Sequence, residues 1–388
     1  MAFLTNDAVN RVIVHSGVKA LAESAGGVFF FVYLLKAGLS VEAALLSQAA
    51  IFTLRFTLRP AMLPLAVRFG VKPLLIAGTL LMALQYPLLA LVHGVGPALA
   101  VVCAAAGVGE LVYYLAGNAY WAIVGDIEHR GQQTAAREGL VAAVGIVGPL
   151  AGGAALTAFG PGPAFAAVGL VQALAALPLI GLPNVAVARH APGAFRAARP
   201  GFILIAADGW FDVCYIHVWQ IALFLALAQS FTSYGGAMAL AGLAAAIAGL
   251  LLGRHIDAGG GRRAVTLTYS VAAAAVLLRA ASLGSPWLAV AANAAGAMLW
   301  PLLGPTVGAC THNLAKTSPC AFRFHMGTEG GWDVGAVAAS LTAAALVRLG
   351  APLTVPLLMG LVGVAGSVVL LRRYYAGVAR ALVAAPAR

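Results

Sequence analysis

The chain has 388 residues, of which 62% are hydrophobic and only 9% are charged. Its mean hydropathy is +0.95, whereas a soluble domain carries about 25% charged residues. This composition excludes a soluble globular protein, because too little polar surface would remain to face water. The net charge of +11 does not indicate a nucleic-acid partner, since the basic residues form no single patch.

Twelve apolar stretches follow one another along the chain, and each is long enough to cross a bilayer as a helix. Gly160–Pro163 and Gly350–Pro352 cannot continue a helix and therefore separate neighbouring stretches. The predicted class is an all-α integral membrane protein with twelve transmembrane helices. We place the spans at residues 10–35, 41–66, 72–92, 95–124, 136–159, 162–182, 200–228, 232–253, 264–283, 286–309, 326–348 and 351–371.

The polar connector of residues 183–199 divides the chain into an N-terminal bundle of six helices, 1–182, and a C-terminal bundle of six, 200–388. Most of the 23 lysines and arginines lie on the side of the membrane that carries the connector. Basic residues favour the cytoplasmic side. We therefore expect a multi-pass protein of the inner, or plasma, membrane with both termini in the cytoplasm.

Several ionisable residues lie inside the apolar spans, where charge is costly and usually serves a function. Most recur every four residues and so share one face of their helix. Glu23, Glu110 and Asp212 fall near the middle of their spans, whereas Asp208, Glu329 and Asp333 appear nearer the cytoplasmic ends. Arg279 lies close to the outer end of span 9, where its side chain is expected to reach the membrane surface.

A carboxylate in a low-dielectric surrounding takes up a proton more readily, and a nearby arginine opposes this effect. Glu23, Asp212 and Glu110 are therefore the candidate proton carriers. Arg55 and Arg59 are interpreted either as substrate or switch residues or as fixed partners of Glu23 or Asp212. Lys19 and Glu23 are also spaced to pair within their own helix. The candidate substrate contacts are Arg55, Arg59, Lys19, Asn118, His217, Trp210 and Trp219.

The two halves of the sequence show weak internal similarity. Each has a basic loop after its second span, Arg68–Lys72 and Asp257–Arg263, and each fifth span opens with a Glu-Gly step. Two parallel six-helix repeats leave such a trace. The fold prediction is therefore two pseudo-symmetric six-helix bundles.

The twelve spans, their division into two sixes and these loops resemble the major facilitator superfamily. The second-half loop matches the loop signature of that superfamily with one extra glycine and with Ala258 in place of a basic residue, and the first-half loop has Val67 where the signature has an acid. The resemblance implies a central cavity lined by spans 1, 2, 4, 5, 7, 8, 10 and 11, with spans 3, 6 and 12 at the periphery. It also implies that the loop latches the halves together in one state. The implied gating residues of the loop are Asp257, Arg262 and Arg263.

Residues 148–153 of the fifth span read Gly-Pro-Leu-Ala-Gly-Gly, which resembles a motif of the drug/proton antiporter branch of that superfamily. Pro149 leaves a backbone carbonyl free and bends the helix, and glycines let a second helix approach closely. Gly148 and Pro149 are therefore candidate gating residues, together with Asp208, Glu329 and Asp333. The alternative is a packing face of small residues without a further role. The arginine usual in the fourth span of that branch is replaced here by Glu110.

No nucleotide-binding loop and no catalytic constellation are evident in the sequence, so we expect neither an enzyme nor a bound cofactor or metal. The predicted function is secondary active transport by alternating access, with the proton gradient driving export of a small organic molecule. We expect the protein to work as a monomer in the lipid bilayer. The alternatives are an importer of an organic anion held by Arg55 and Arg59, a lipid flippase, and a membrane receptor or scaffold that transports nothing.

Overall fold

The computed structural model describes residues 6–124, 130–256, 261–316 and 318–384, and all regular secondary structure within these ranges is helical. Within the described ranges, twelve helices are long and apolar enough to cross a membrane, which confirms the prediction. Spans 1 to 6 are Asp7–Lys36, Val41–Phe69, Val71–Leu89, Pro97–Val124, Gln132–Ala158 and Pro161–Leu179. Spans 7 to 12 are Ala194–Ala226, Phe231–Leu251, Gly261–Ser282, Pro286–Lys316, Ala321–Arg348 and Thr354–Gly377.

Several helices extend beyond the apolar stretch from which they were predicted. Span 7 begins at Ala194 and accommodates Pro200 within its helix, and span 11 begins at Ala321 rather than at residue 326. The added turns are polar, so hydropathy alone does not detect them. The earlier start of span 11 moves Asp333 to the middle of the helix, which corrects the prediction that it lies near the cytoplasmic end.

With twelve spans among the described residues, the start of span 1 and the end of span 12 lie on the same side of the membrane as the connector between spans 6 and 7. We call this the connector side and the opposite one the far side. The loop between spans 2 and 3 is fastened to the connector, because Asn184 accepts from the Lys72 backbone N–H (3.2 Å) and donates to the Phe69 carbonyl (2.8 Å). Gly70 between them has φ +80°, and a Cβ there would lie 2.7 Å from Asn184 Cγ.

Helix packing repeats between the N half (spans 1–6) and the C half (spans 7–12). In the N half, span 1 packs on spans 5 and 6, span 3 on spans 4 and 6, and span 2 on span 4; the same pairs, each shifted by six spans, occur in the C half. The halves meet where span 5 packs on span 8 and span 2 packs on span 11. Because span 2 corresponds to span 8 and span 5 to span 11, these two contacts are equivalent to each other. The fold therefore consists of two pseudo-symmetric six-helix bundles, as predicted.

Small residues allow the closest of these helix crossings. A Cβ on Gly152 of span 5 would lie 2.7 Å from the Ala25 carbonyl carbon of span 1, and a Cβ on Gly335 of span 11 would lie 2.8 Å from that of Ala206 of span 7. Gly148 is similarly close to span 1. The glycines of the Gly-Pro-x-x-Gly-Gly segment thus pack helix against helix.

Span 7 contains a π-helical turn, Val213–His217, near the middle of the membrane. Arg279 of span 9 donates a hydrogen bond to the Tyr215 carbonyl within this turn. Its guanidinium lies 3.7 Å from the centre of the Tyr215 ring and 4.9 Å from that of Trp219. Arg279 is buried, so the prediction that it reaches the membrane surface is wrong: a backbone carbonyl and two aromatic faces stabilise its charge inside the bundle instead.

Candidate functional site

A cavity of about 600 Å³ lies between the two halves, within the range of small-molecule sites. Residues of spans 1, 2, 3, 4, 7 and 11 line it. Span 3, which the resemblance placed at the periphery, contributes Met82, Gln85 and Tyr86. The lining found among the described residues includes none from spans 5, 8 or 10. The cavity is therefore formed mainly by the N half, and the expectation for these four spans was wrong in this structure.

Asp333 of span 11 is fully buried and lies between two arginines of span 2. Arg59 Nη2 donates a hydrogen bond to Asp333 Oδ2, and Arg55 Nε lies 3.1 Å from Asp333 Oδ1. The two arginines are one helical turn apart, which lets both reach one carboxylate. These ion pairs connect the N half to the C half in the middle of the membrane.

Two further carboxylates share the same arginines. Arg55 Nη1 donates to Glu110 Oε2 at 2.8 Å, and Arg59 Nη1 lies 3.4 Å from Glu329 Oε2. Asn118 donates to the other oxygen of Glu329 at 2.8 Å. Glu110 belongs to the same half as Arg55, whereas Asp333 belongs to the other half. The carboxylates of the two halves therefore compete for one guanidinium.

Glu23 belongs to a separate group in the N half. Its carboxylate lies 2.5 Å from Lys19 Nζ and accepts a hydrogen bond from the Tyr114 hydroxyl at 2.9 Å. Lys19 is also 4.7 Å from the centre of the Tyr114 ring. The interpretation of Arg55 and Arg59 as partners of Glu23 was wrong, because Lys19 one turn away occupies that position. Glu23 and Tyr114 both line the cavity.

Asp212 does not line the cavity but lies behind Trp332, whose indole N–H donates to Asp212 Oδ2 at 3.0 Å. Its expected partners were Arg55 and Arg59, which bind other carboxylates instead. Trp332 itself faces the cavity, and its ring lies 5.2 Å from the Arg55 guanidinium. Asp212 therefore contacts the ion pairs through a tryptophan ring. Asp208, one turn from Asp212 on span 7, is partly buried and also does not line the cavity.

Aromatic residues form the far-side part of the cavity. Phe31 of span 1 and Phe52 of span 2 make edge-to-face contacts with His217 of span 7, at 5.4 and 6.1 Å between ring centres. Phe52 also contacts Trp332 at 4.8 Å. His217 thus lines the cavity, and its contact with a substrate stays a prediction.

Two tryptophans predicted to contact substrate lie elsewhere. Trp210 donates to the Met359 carbonyl of span 12 at 2.9 Å, and Trp219 donates to Asn293 of span 10 at 2.9 Å. Neither lines the cavity, because both side chains point from span 7 into the C half. Trp332, Tyr114, Tyr86 and Gln85 line it instead and were not predicted. Glu110, Tyr114 and Asn118 recur every four residues, so the spacing rule applied to the charged residues would have identified Tyr114.

The predicted loop latch is described only in part. Asp257 lies outside the described residues, and Arg262 and Arg263 are exposed at the start of span 9. Gly148 and Pro149 lie within the span 5 helix, whose glycines contact span 1 and span 8. Of the predicted gating residues, Glu329 and Asp333 belong to the central ion-pair network.

The fold and the central cavity define a class: helical membrane proteins in which two six-helix halves enclose one site between them. The sequence profile of the Major Facilitator Superfamily matches residues 18–322 of the chain. The chain therefore belongs to the Major Facilitator Superfamily. It is a multi-pass membrane protein and a secondary transporter, not an enzyme.

Two solved structures illustrate the likeness in fold. The human organic anion transporter MFSD10 (TETRAN) is 17% identical, with a TM-score of 0.66 over 94% of this chain and 99% of its own. A POT family transporter in complex with 5-aminolevulinic acid is 10% identical, with a TM-score of 0.67 over 94% of this chain and 95% of its own. No curated protein sequence matches the chain. At these identities the two structures support the fold and leave the substrate open.

Proposed function

We propose that this protein is a proton-coupled transporter that exports a small organic molecule by alternating access. The observation that carries the proposal is the position of Arg55, which lies between Glu110 of its own half and Asp333 of the other. Alternating access requires the two halves to move relative to each other around a central site. A charge that is shared between the halves responds directly to such a movement.

The sign of the coupling follows from this competition. When Glu110 is ionised, it draws the Arg55 guanidinium toward the N half. When Glu110 takes up a proton, it loses its charge, and Arg55 interacts with Asp333 alone. Protonation therefore strengthens the Arg55–Asp333 ion pair between the halves and favours the arrangement in which spans 2 and 11 are in contact. Loss of the proton favours separation of these two spans.

Proton and substrate use the same cavity in this proposal. Glu23 and Glu110 both line it, so a substrate group that interacts with either carboxylate competes with a proton for it. Mutually exclusive binding lets a proton moving inward drive a substrate outward. Asp212 has an indirect part, since its contact with the cavity passes through Trp332.

The connector side is proposed to face the cytoplasm of a cell with this protein in its plasma membrane, because most basic loop residues lie there.

The spans on either side of connector 183–199 are proposed to move as two units. One chain contains a complete cavity, so we expect a monomer to suffice. Arg323 of span 11 donates to the connector carbonyls of Ala188 (2.8 Å) and Arg189 (2.7 Å). The connector is thus held by both halves on the side where substrate would enter.

Import of an organic anion is the second candidate, and one of the two structural neighbours is described as an organic anion transporter. In this candidate Arg55 and Arg59 would grip the anion together. Both arginines already contact carboxylates, so an anion would have to displace these ion pairs. We therefore favour the proton-coupled exporter.

The test uses proteoliposomes loaded with a defined mixture of small organic cations, anions and neutral molecules. The outside medium is acidified, and mass spectrometry measures which solutes leave faster than from vesicles without protein. We expect at least one solute whose efflux requires the pH gradient. In the Glu110→Gln variant, which mimics the protonated carboxyl, the acceleration by the gradient should disappear. Efflux that is equally fast with and without the gradient would overturn proton coupling.

The control is Glu42→Gln. Glu42 is a carboxylate at the far-side end of span 2, paired with Arg348 at 3.6 Å, and it is not part of the cavity. Its removal changes the charge of the protein by the same amount as Glu110→Gln. If both variants lose the response to the gradient equally, the effect is one of net charge and not of Glu110.

A further inference from the structure

The charged groups at the cavity are not equally accessible from it. The side chains of Glu23, Glu110 and Glu329 are 32%, 23% and 15% exposed. Those of Lys19, Arg55 and Arg59 are 10%, 7% and 5% exposed. The side chains of these three acids are thus more accessible than those of the three bases, which are buried in the walls. A molecule entering the cavity meets negative charge first.

The ion pairs also leave an excess of negative charge. Lys19, Arg55 and Arg59 contact four carboxylates, those of Glu23, Glu110, Glu329 and Asp333. With all of these groups ionised, the network carries one negative charge more than it carries positive charges. A bound monovalent cation would neutralise this excess, whereas a bound anion would double it.

Another part of the cavity lining is apolar and aromatic and includes Phe30, Phe31, Phe52 and Ile216. Such a surface suits a hydrocarbon or aromatic body rather than a small inorganic ion, which would keep its water. Two buried polar atoms at the wall, Tyr86 Oη and His217 Nδ1, have no hydrogen-bond partner within the described part of the chain. Both residues belong to the cavity lining, so a small side-chain rotation would be needed for either atom to meet a substrate.

We propose that the substrate is a monovalent amphipathic organic cation, with its charged group beside Glu23 and Glu110 and its apolar body against Phe31 and Phe52. This inference rests on the proposed transport function and names the substrate class for the same cavity. It differs from the substrate in the name of the human structural neighbour, which is described as an organic anion transporter. The cation also explains the exchange for a proton, because both neutralise the same carboxylates.

The test compares two probes of nearly the same shape and opposite charge, tetraphenylphosphonium and tetraphenylborate. Equilibrium binding of each is measured to purified full-length protein in detergent, without a pH gradient. We expect saturable binding of the phosphonium to the wild type and weaker or no binding of the borate. In the Glu23→Gln/Glu110→Gln double variant, phosphonium affinity should fall by about tenfold or more, which corresponds to about 1.4 kcal/mol.

Three controls make the result specific. Glu42→Gln should bind the phosphonium like the wild type, since Glu42 lies outside the cavity. Glu23→Asp keeps the charge and should retain binding, which separates the loss of the carboxylate at this position from a change in side-chain length. Lowering the pH should weaken phosphonium binding to the wild type, because protons compete for the carboxylates.

Tighter binding of the borate than of the phosphonium, or phosphonium binding that the double variant leaves unchanged, would overturn the inference. Neither result would affect the pH-gradient experiment, because that experiment includes anions and neutral solutes. Conversely, if the protein binds the cation but efflux does not depend on the pH gradient, the substrate class would be supported and proton coupling would be rejected.

Discussion

The two halves share one pattern of helix packing but differ in how their charges are neutralised. In the N half, Lys19 pairs with Glu23 and Arg55 with Glu110, each within the half. In the C half, Asp333 is paired with arginines of the N half, and Arg279 is held by a carbonyl and two aromatic rings. The difference shows that packing makes the halves alike, whereas charge makes them depend on each other. Among the described residues, Asp333 pairs only with arginines of the N half, and Arg59 pairs only with carboxylates of the C half.

The strongest way to break this dependence is Asp333→Asn. The substitution leaves two buried arginines without their shared carboxylate, and removing one partner of a buried ion pair costs about 3–5 kcal/mol. We expect a large fall in the thermal unfolding temperature of the purified protein in detergent, together with loss of transport. Asp333→Glu, which keeps the charge, should recover part of both. An unfolding temperature equal to that of the wild type would show that Asp333 does not hold the halves together.

A comparison of Arg55→Met with Arg279→Met tests whether the two buried arginines differ as described. Arg55→Met leaves Asp333 and Glu110 with one cation fewer and should cost about 3 kcal/mol or more. Arg279→Met leaves a backbone carbonyl unpaired and should cost about 1–3 kcal/mol. The order of the two unfolding temperatures checks the prediction. The reverse order would mean that Arg279 has an acidic partner or that Arg55 is not needed for neutralisation.

The likeness in packing is tested by Gly152→Ala and Gly335→Ala, which add a methyl group at equivalent crossings. Each new Cβ would lie within 3 Å of a neighbouring backbone carbonyl carbon, and such overpacking costs about 1–3 kcal/mol. We expect similar losses of thermal stability in both variants. Gly236→Ala is the matched control, because no atom lies within 4 Å of a Cβ there. A strong effect at only one of the two crossings would contradict the pseudo-symmetry.

A double-mutant cycle of Lys19→Met and Glu23→Gln measures a pair confined to the N half. Lys19 is buried, Glu23 is partly exposed and the two are one helical turn apart, so we expect a coupling energy of about 1 kcal/mol in thermal or chemical unfolding. The double variant should therefore be more stable than the sum of the single effects predicts. Strict additivity would show that the pair contributes nothing to stability.

The smallest effect is expected for Glu42→Gln at the far-side end of the interface. Its partner Arg348 is 77% exposed, and exposed ion pairs contribute about 0.5 kcal/mol or less. The unfolding temperature should stay within experimental error of the wild type at moderate salt. A fall comparable to that of Asp333→Asn would move the main contact between the halves from the middle of the membrane to its far side.

Much of the fold was predictable because bilayer thickness imposes a length and an apolar composition on each span. All twelve spans were found, and the Glu-Gly steps and paired loops correctly indicated a repeat. The bounds of spans 7, 10 and 11 were less predictable, because polar turns continue the helix beyond the apolar stretch, at the start of spans 7 and 11 and at the end of span 10. Pro200 was taken as a boundary, yet the helix of span 7 includes it.

The site was predictable only in part. Four-residue spacing correctly indicated that Arg55 and Arg59 act from one face, but it does not show which acid they meet on another helix. The arginines pair with Glu110 and Asp333, and not with Glu23 and Asp212, because of how each helix is rotated about its axis. No local sequence pattern indicates this rotation. The same rotation turns Trp210 and Trp219 away from the cavity and brings Trp332 into it.

The position of Trp332 has a consequence for spectroscopy. Indole emission depends on what its N–H binds and on the charges near its ring, and Trp332 combines a hydrogen bond to Asp212 with an arginine 5.2 Å away. The residue is one of six tryptophans, so a variant that keeps Trp332 and replaces the other five with phenylalanine would have a single emitter at the boundary between the halves. The emission wavelength and the quenching of its fluorescence would report each separation of the halves in real time, without an added label.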